Sequence, residues 1–257
     1  MFFPIFLFFL YISDVFMYQH YICKSLELIK QHGIKYKIDE SHNEIHSKEV
    51  LYYGAELIKD EKLSDMEKKI LILGCLFHDV VDKKYLDPND NPQELLKDML
   101  LEMEQDEEIV KDTTLFINNL SYSKTVVLDE YYEQYFVEPE FLHNHTHRRV
   151  YHYIRNADLL SSYNLRRAFL YHYYKYPYLP FEEIIKDVIT LYYNRMKKLR
   201  SNKILSLENK QCNLLSQQLE KECDYRIRTF LSYSLPDAII HFNMLPNIST
   251  IDLISKF

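Results

Sequence analysis

Glycine, proline and tryptophan are scarce in this sequence. The 257 residues include three Gly, eight Pro and no Trp, although 47% of the residues are hydrophobic. A β-sandwich or β-barrel needs many tight turns, which Gly and Pro usually form. Their scarcity, together with abundant Leu, Ile, Glu and Lys, favours an all-α fold. The length and apolar content fit one domain around one sizeable core.

Paired cysteine motifs are also lacking. The four Cys, at positions 23, 75, 212 and 223, show no C-x-x-C spacing, and Cys75 stands inside an apolar run where a free thiol behaves as a small hydrophobe. We therefore expect reduced thiols rather than a disulfide framework.

Basic residues are fewer than acidic residues in this sequence. The formal net charge is −7 and the sequence pI is about 5.9, which argues against a protein that holds nucleic acid chiefly by neutralising phosphates. A small polyanion needs only local cations. One basic run is present, and it is interpreted as a solvated helix face, with anion binding as the alternative; it comprises Arg195, Lys197, Lys198 and Arg200.

The apolar run at the start of the chain is short. Residues 1–16 reach Asp14 well before the roughly 20 apolar residues that a bilayer-spanning helix needs, and no Lys or Arg precedes Lys24 as a secretory peptide would require. We treat residues 1–16 as an apolar extension, which either packs on the protein or precedes a true start at Met17. We expect no transmembrane span and a cytoplasmic location.

Hydrophobic periodicity divides the rest of the chain into helices. The sequence predicts a first helix over residues 17–30 that stops at Gly33, and a second that opens near residues 39–41. Four residues of the second helix share one inward stripe at steps of four, three and four: His46, Val50, Tyr53 and Leu57.

A third helix opens at Ser64 and Glu67 and is apolar on nearly all sides until it meets His78 and Asp79. A carboxylate at that position is unfavourable unless it finds a cation. Far downstream, Asp158 falls on an apolar stripe with Val150, Ile154 and Ala157.

The remaining segments carry less information. We expect one or two amphipathic helices over 94–119, an irregular connection or short extra element over 127–147, and helices over 182–200 and 205–232. Residues 233–257 form a tail with no strong pattern.

Two imidazoles and two carboxylates from three helices can converge on one cation. Such a mixed nitrogen and oxygen set suits Mn²⁺, Fe²⁺, Co²⁺ or Mg²⁺ with positions left open for water. The alternative is a buried, internally paired set without metal. We disfavour it because no inward Arg or Lys is evident at a matching spacing.

At this point the sequence resembles the HD-domain metal-dependent phosphohydrolases, whose pattern is a His, then His-Asp, then a distant Asp. Further segments are similar to the family: SHNEIH at 41–46 to S-H-D-x-x-H, LFHDVVDKKY at 76–85 to L-x-H-D-I-x-D-K-K-Y, NLSYSK at 119–124 to I-S-F-S-K, RNADLL at 155–160 to V-x-D-A-D-x-L, and residues 192–199 with 215–231 to its closing helices. The resemblance spans roughly residues 18–232 and points to small single-domain enzymes that hydrolyse nucleoside triphosphates to monophosphate and pyrophosphate.

The resemblance implies a single-domain HD-type helical bundle over residues 17–232 and a role for each matching residue. The metal ligands would be His46, His78, Asp79 and Asp158, which hold one divalent cation. Catalysis would rest on Asp79 beside an activated water and on Asp82, which orients that water or protonates the leaving group. Substrate would be bound by His42, Lys83, Lys84 and Lys124. The partner is a small nucleotide, without stable nucleic-acid binding, and a homodimer stays open.

Several positions depart from the family pattern. The family often has Arg where this chain has Glu49 and Asp where it has Ser161, while Asn43 and Asn156 each replace an Asp. The metal set is intact, but a Glu in place of an Arg should weaken the local field for an anionic substrate. Substrate identity is therefore in question, and 5′-phosphate removal from monophosphates or a degenerate module that only binds nucleotide are the alternatives.

Two further histidine patterns have simpler interpretations. His42 and His46 are four residues apart, as in H-E-x-x-H zinc proteases, but Glu44 lies two residues past His42 rather than one, about 200° round the helix, and so cannot act as the base. The stretch His-Asn-His-Thr-His at 143–147 lacks a Cys or a well-spaced carboxylate, so we interpret it as a solvated loop.

Overall fold

The computed structural model describes residues 3–206 and 209–232. Its helices, in chain order, are α1 (Phe3–Tyr36), α2 (Glu44–Ile58), α3 (Asp65–Phe77), α4 (Pro92–Met103), α5 (Glu107–Asn119), α6 (Tyr122–Thr125), α7 (Arg148–Ser161), α8 (Leu165–Lys175), α9 (Phe181–Leu191), α10 (Lys198–Ser201) and α11 (Lys210–Ser232). A short antiparallel hairpin joins β1 (Val126–Leu128) to β2 (Gln134–Phe136). The all-α prediction is confirmed, and the hairpin is the short extra element expected near residue 127.

Helix α3 occupies the centre of the molecule. It begins with the expected capping box, in which the Ser64 side chain accepts from the backbone of Glu67 and the Glu67 carboxylate accepts from the backbone of Ser64. Arg149 of α7 donates twice to the same carboxylate, at 2.6 and 2.7 Å. Residues 70–77 are all buried, and α3 packs against α1, α2, α5 and α7.

Two glycines allow α2, α3 and α7 to approach closely. A Cβ added to Gly74 would lie 2.3 Å from Cδ1 and 3.0 Å from Cγ1 of the fully buried Ile154 of α7. A Cβ on Gly54 of α2 would lie 2.8 Å from the Cys75 sulfur. Real side-chain contacts are longer than this, so only glycine fits at both positions.

Helix α1 is longer than the sequence predicts. It runs from Phe3 to Tyr36 through the expected extension and past Gly33. The turn that ends it uses Lys37, which has a positive φ of 54°, while the Ile38 amide donates to the Gly33 carbonyl. Gly33 itself stays helical, and the left-handed position falls four residues later, at Lys37. The expected tail, residues 233–257, lies outside the described residues.

Other boundaries differ by a few residues. Helix α2 begins at Glu44 rather than near 39–41, because the Asn43 side chain accepts from the Ile45 amide and caps the helix. The segment 182–200 forms α9, a π-helical turn at Tyr192–Met196 and α10. Helix α8 was not among the expected elements. Within the described residues, no helix has both the length and the apolarity needed to span a bilayer.

We expect Gly74→Ala to lower the free energy of unfolding by about 1–3 kcal/mol, because the added methyl group overpacks the α3–α7 contact. Urea unfolding measures the effect. Ile154→Val removes the Cδ1 atom, so it should be less destabilising in the Gly74→Ala protein than in the native one. Gly33→Ala is the matched control, since its Cβ would meet nothing nearer than 4.0 Å. Equal effects of the two glycine substitutions would contradict the close-approach argument.

Candidate metal centre

Four of the expected site residues come together at one end of the α2–α3–α7 contact. His46 lies in the first turns of α2, His78 caps the C-terminus of α3, Asp79 follows it, and Asp158 lies in α7. The two imidazole Nε2 atoms are 3.1 Å apart. An Asp79 carboxylate oxygen lies 3.5 Å from His46 Nε2 and 3.4 Å from His78 Nε2. The corresponding distances from Asp158 are 3.9 and 3.6 Å.

These separations fit a set of ligands around one cation. Ligand atoms about 2.1 Å from a cation are about 3.0 Å apart at right angles and about 3.4 Å apart at the tetrahedral angle. His46, His78 and Asp79 form a group whose ligand atoms all lie within 4.8 Å of one another. Asp158 is close to both imidazoles but is not part of that tightest group. The donor set therefore fits a divalent cation, with Asp158 as its outermost member.

Backbone contacts hold the ligand groups in place. The Nδ1 atom of His78 lies 2.9 Å from the Cys75 carbonyl oxygen, which turns Nε2 toward the cluster. His32 of α1 contacts the Val80 carbonyl at 2.8 Å and so fixes the turn that carries Asp79. The side chains of His46 and His78 are 0% and 2% exposed, whereas those of Asp79 and Asp158 are 30% and 31% exposed. The cluster therefore opens to solvent on its carboxylate side.

The electrostatics of the cluster are dominated by its two carboxylates. Burial disfavours a charged imidazole, but the adjacent Asp79 and Asp158 outweigh it and raise the pKa of His78 to about 9. Burial likewise opposes ionisation of Asp79, yet His78 and His46 hold the pKa of this carboxyl well below its usual range. Burial and the nearby Arg167 lower the pKa of His46. A proton on His78 thus supplies part of the positive charge in the metal-free cluster.

An arginine also faces this cluster, contrary to the sequence-based expectation. A guanidinium nitrogen of Arg167 in α8 lies 2.9 Å from His46 Nε2. On α2, one turn beyond His46, Glu49 is buried, and its carboxylate accepts from the Asn164 side-chain amide at 3.1 and 3.0 Å. A positive charge therefore faces the cluster from α8 rather than from α2. No local sequence pattern distinguishes Arg167 from the adjacent Arg166, so the sequence carried no signal for this contact.

Two of the expected substrate-binding residues lie beside the cluster. The His42 and His46 ring centroids are 6.2 Å apart, and the Lys84 ammonium lies 3.0 Å from His42 Nε2. Asp79 and Asp82 both lie beyond the end of α3, in the turn that follows it, and the Asp82 carboxylate pairs with Lys84 at 2.9 Å. Asp82 and Lys84 therefore form one unit at the edge of the site.

The other two expected substrate-binding lysines are placed differently. Lys83 is exposed in the turn that follows Asp82. Lys124 of α6 donates to the Asn118 carbonyl at 2.6 Å, so its ammonium satisfies the C-terminal turn of α5. Neither contacts the cluster in the described part of the chain.

The second histidine-rich stretch is only partly solvated. His143 is exposed as expected, but His147 is buried and His145 is half-buried, with His145 Nε2 3.4 Å from the buried Asp112 carboxylate. The His145 Nδ1 atom accepts from the His147 amide, so the ring proton must be on Nε2, where it faces Asp112. That tautomer leaves no lone pair for a metal, and the solvated-loop interpretation is wrong for these two residues.

Comparison of the chain with protein-family models, with curated proteins and with solved structures found no match. The likeness to HD-domain enzymes therefore rests on the sequence motifs alone.

We expect Mn²⁺ to bind the protein more tightly as pH rises from 6.5 to 8.5. The metal must displace the His78 proton, whose pKa of about 9 makes the apparent affinity fall by up to about tenfold per pH unit below that value. Electron paramagnetic resonance of free Mn²⁺ gives the affinity at each pH. Asp79→Asn should weaken binding and flatten its pH dependence, because it removes both a ligand and the charge that raises the pKa of His78.

The control for this measurement is Asp98→Asn, an exposed aspartate on α4, which should leave both quantities unchanged. A native protein that binds no Mn²⁺ at pH 8.5 would remove the basis for a metal centre.

Proposed function

We propose that the protein is a metal-dependent phosphohydrolase of small nucleotides, which converts a nucleoside triphosphate to the monophosphate and pyrophosphate through attack of a water. The observation that supports this most directly is the convergence of His46, His78, Asp79 and Asp158, with nitrogen and oxygen atoms 3.1 to 3.9 Å apart. The resemblance to HD-domain enzymes provides the reaction class.

A bound divalent cation would polarise a phosphoryl oxygen and make a water more acidic. The chain's own contribution is to orient the ligands and leave one side accessible. The buried imidazole of His78 is held from behind by its contact with the Cys75 carbonyl. The two half-exposed carboxylates border the side from which a phosphate group can approach. This asymmetry favours a reaction centre over a closed structural site.

Cationic and aromatic groups line the approach to the cluster. Lys84 donates toward His42 and pairs with Asp82, while its ammonium also lies 4.8 Å from the Tyr85 ring centroid. In the proposed reaction Lys84 neutralises charge on the phosphate chain. Asp82 positions Lys84 through their ion pair. Its carboxylate also follows Asp79 by three residues, and in the proposed reaction it accepts or returns a proton at the edge of the site.

One observation favours a second candidate, a degenerate module that binds nucleotide without turnover. The Arg167 guanidinium occupies hydrogen-bonding distance of His46 Nε2, the atom that a metal would need. In a degenerate module this cation would permanently replace the metal and balance the two carboxylates. Metal binding and turnover distinguish the two candidates.

The decisive experiment incubates purified protein with Mn²⁺, Mg²⁺, Co²⁺ or Fe²⁺ and a panel of nucleoside triphosphates and monophosphates. Phosphorus NMR then identifies pyrophosphate or orthophosphate. We expect pyrophosphate from a triphosphate, and a loss of at least about 100-fold in kcat/KM for Asp79→Asn because a metal ligand is removed. The Asp98→Asn protein should match the native one.

Other results would change the assignment. Orthophosphate released from monophosphates would replace pyrophosphohydrolysis with phosphomonoesterase activity. Nucleotide binding without turnover in any metal would favour the degenerate module. If the protein neither binds nucleotides nor turns them over, a nucleotide-directed function is rejected.

A further inference from the structure

We propose that Arg167 is the residue that binds the reacting phosphate, and that the inward face of α8 forms the anion-binding wall of the site. This inference rests on the proposed function for the identity of the ligand, a nucleotide with two or more linked phosphates. Its physical basis is the position, charge state and support of the Arg167 guanidinium.

The guanidinium lies at the candidate metal centre, and within residues 3–206 and 209–232 it forms no ion pair. One of its nitrogens is 2.9 Å from His46 Nε2. Among the described residues no carboxylate pairs directly with Arg167, whereas its neighbour Arg166 pairs with Glu40 at 3.8 Å. A half-buried guanidinium without a direct carboxylate partner can form charge-assisted, bidentate hydrogen bonds to a phosphate.

A second residue of α8 shows that the same face borders the approach. Tyr171 is four residues after Arg167 and therefore lies on the same side of the helix. Its ring centroid is 5.7 Å from that of His42 and 5.3 Å from the Lys84 ammonium. Arg167 thus lies at the end of this α8 face that is next to the candidate metal centre. Lys84, from the turn after α3, lies beside Tyr171 at the other end of the face. Two cations spaced in this way suit a chain of linked phosphates.

The start of α8 is anchored to the helix that carries His46. The Asn164 side chain accepts from the Arg167 amide at 3.1 Å and caps α8, while its amide group donates to both Glu49 oxygens. Glu49 is therefore a positioning residue, because it fixes the helix from which Arg167 extends.

The charge balance of the cluster explains why substrate binding needs the Arg167 guanidinium in addition to a divalent cation. A divalent cation offsets the two carboxylates of Asp79 and Asp158 and leaves no net positive charge for a polyanionic substrate. A cation held by His46 Nε2 would repel the guanidinium toward the open carboxylate side. There the guanidinium donors would bind the oxygens of the phosphate under attack.

The test compares Arg167→Gln with Arg166→Gln, the same change at the adjacent position of the same helix. Two affinities are measured: that for Mn²⁺ alone, and that for the α,β-methylene analogues of the four common nucleoside triphosphates with Mn²⁺ present. For Arg167→Gln we expect analogue binding about 10- to 100-fold weaker. Mn²⁺ binding should be at least about threefold tighter, because a competing cation is removed.

Arg166→Gln should change neither affinity, and Arg167→Lys should retain part of the analogue binding, as a point charge without the bidentate fork. Weaker Mn²⁺ binding in Arg167→Gln, or unchanged analogue binding, would overturn the inference. If the native protein binds the analogue but shows no turnover, the inference stands while hydrolysis is rejected. If turnover persists with unchanged KM in Arg167→Gln, hydrolysis stands and the inference is rejected.

Discussion

The close approach of α3 to α7 at Gly74 is the constraint on which the site depends. Gly74 lies one turn before His78, and Ile154 lies one turn before Asp158, so the contact between them sets the distance between an imidazole and a carboxylate. Gly54 has the same effect between α2 and α3 through Cys75, whose carbonyl also orients His78. Because helix positions one turn apart share a face, packing in the core is transmitted directly to the ligand geometry.

This packing creates an electrostatic requirement. Each of the two carboxylates lies within 3.9 Å of both imidazole Nε2 atoms, and two negative charges this close together are unfavourable without compensation. The metal-free cluster contains two sources of positive charge: the proton favoured on His78 and the guanidinium of Arg167. Both occupy nitrogen atoms that a divalent cation would bind. On our proposal, a divalent cation would displace these two groups from the imidazole nitrogens as it binds.

The sequence predicts those features of the fold that short-range interactions determine. The capping box at Ser64 marked the start of α3, and the apolar stripes placed His46 and Asp158 on inward faces, because the helical period fixes those orientations. His78 was marked only by the end of the apolar run of α3. The end of α1 was mispredicted, since Lys37 rather than Gly33 takes the left-handed position. The contact of Arg167 with His46 spans 121 residues, and no local pattern distinguishes this arginine from Arg166. Long-range pairings of this kind depend on how helices dock, which periodicity does not specify.

The buried Glu49 on α2 is linked to the position of Arg167 on α8. A buried carboxylate at this position is unfavourable by itself, and burial raises the pKa of Glu49 to about 7 against the opposing charge of Arg167. Its hydrogen bonds from Asn164 offset part of that penalty and attach α8 to α2. A helix held there can direct a long side chain toward His46 from outside the α2–α3–α7 core. The positive charge of Arg167 is consequently carried by a long, flexible side chain, whereas the metal ligands are held by the core. On our proposal, this mobility links metal binding to phosphate binding.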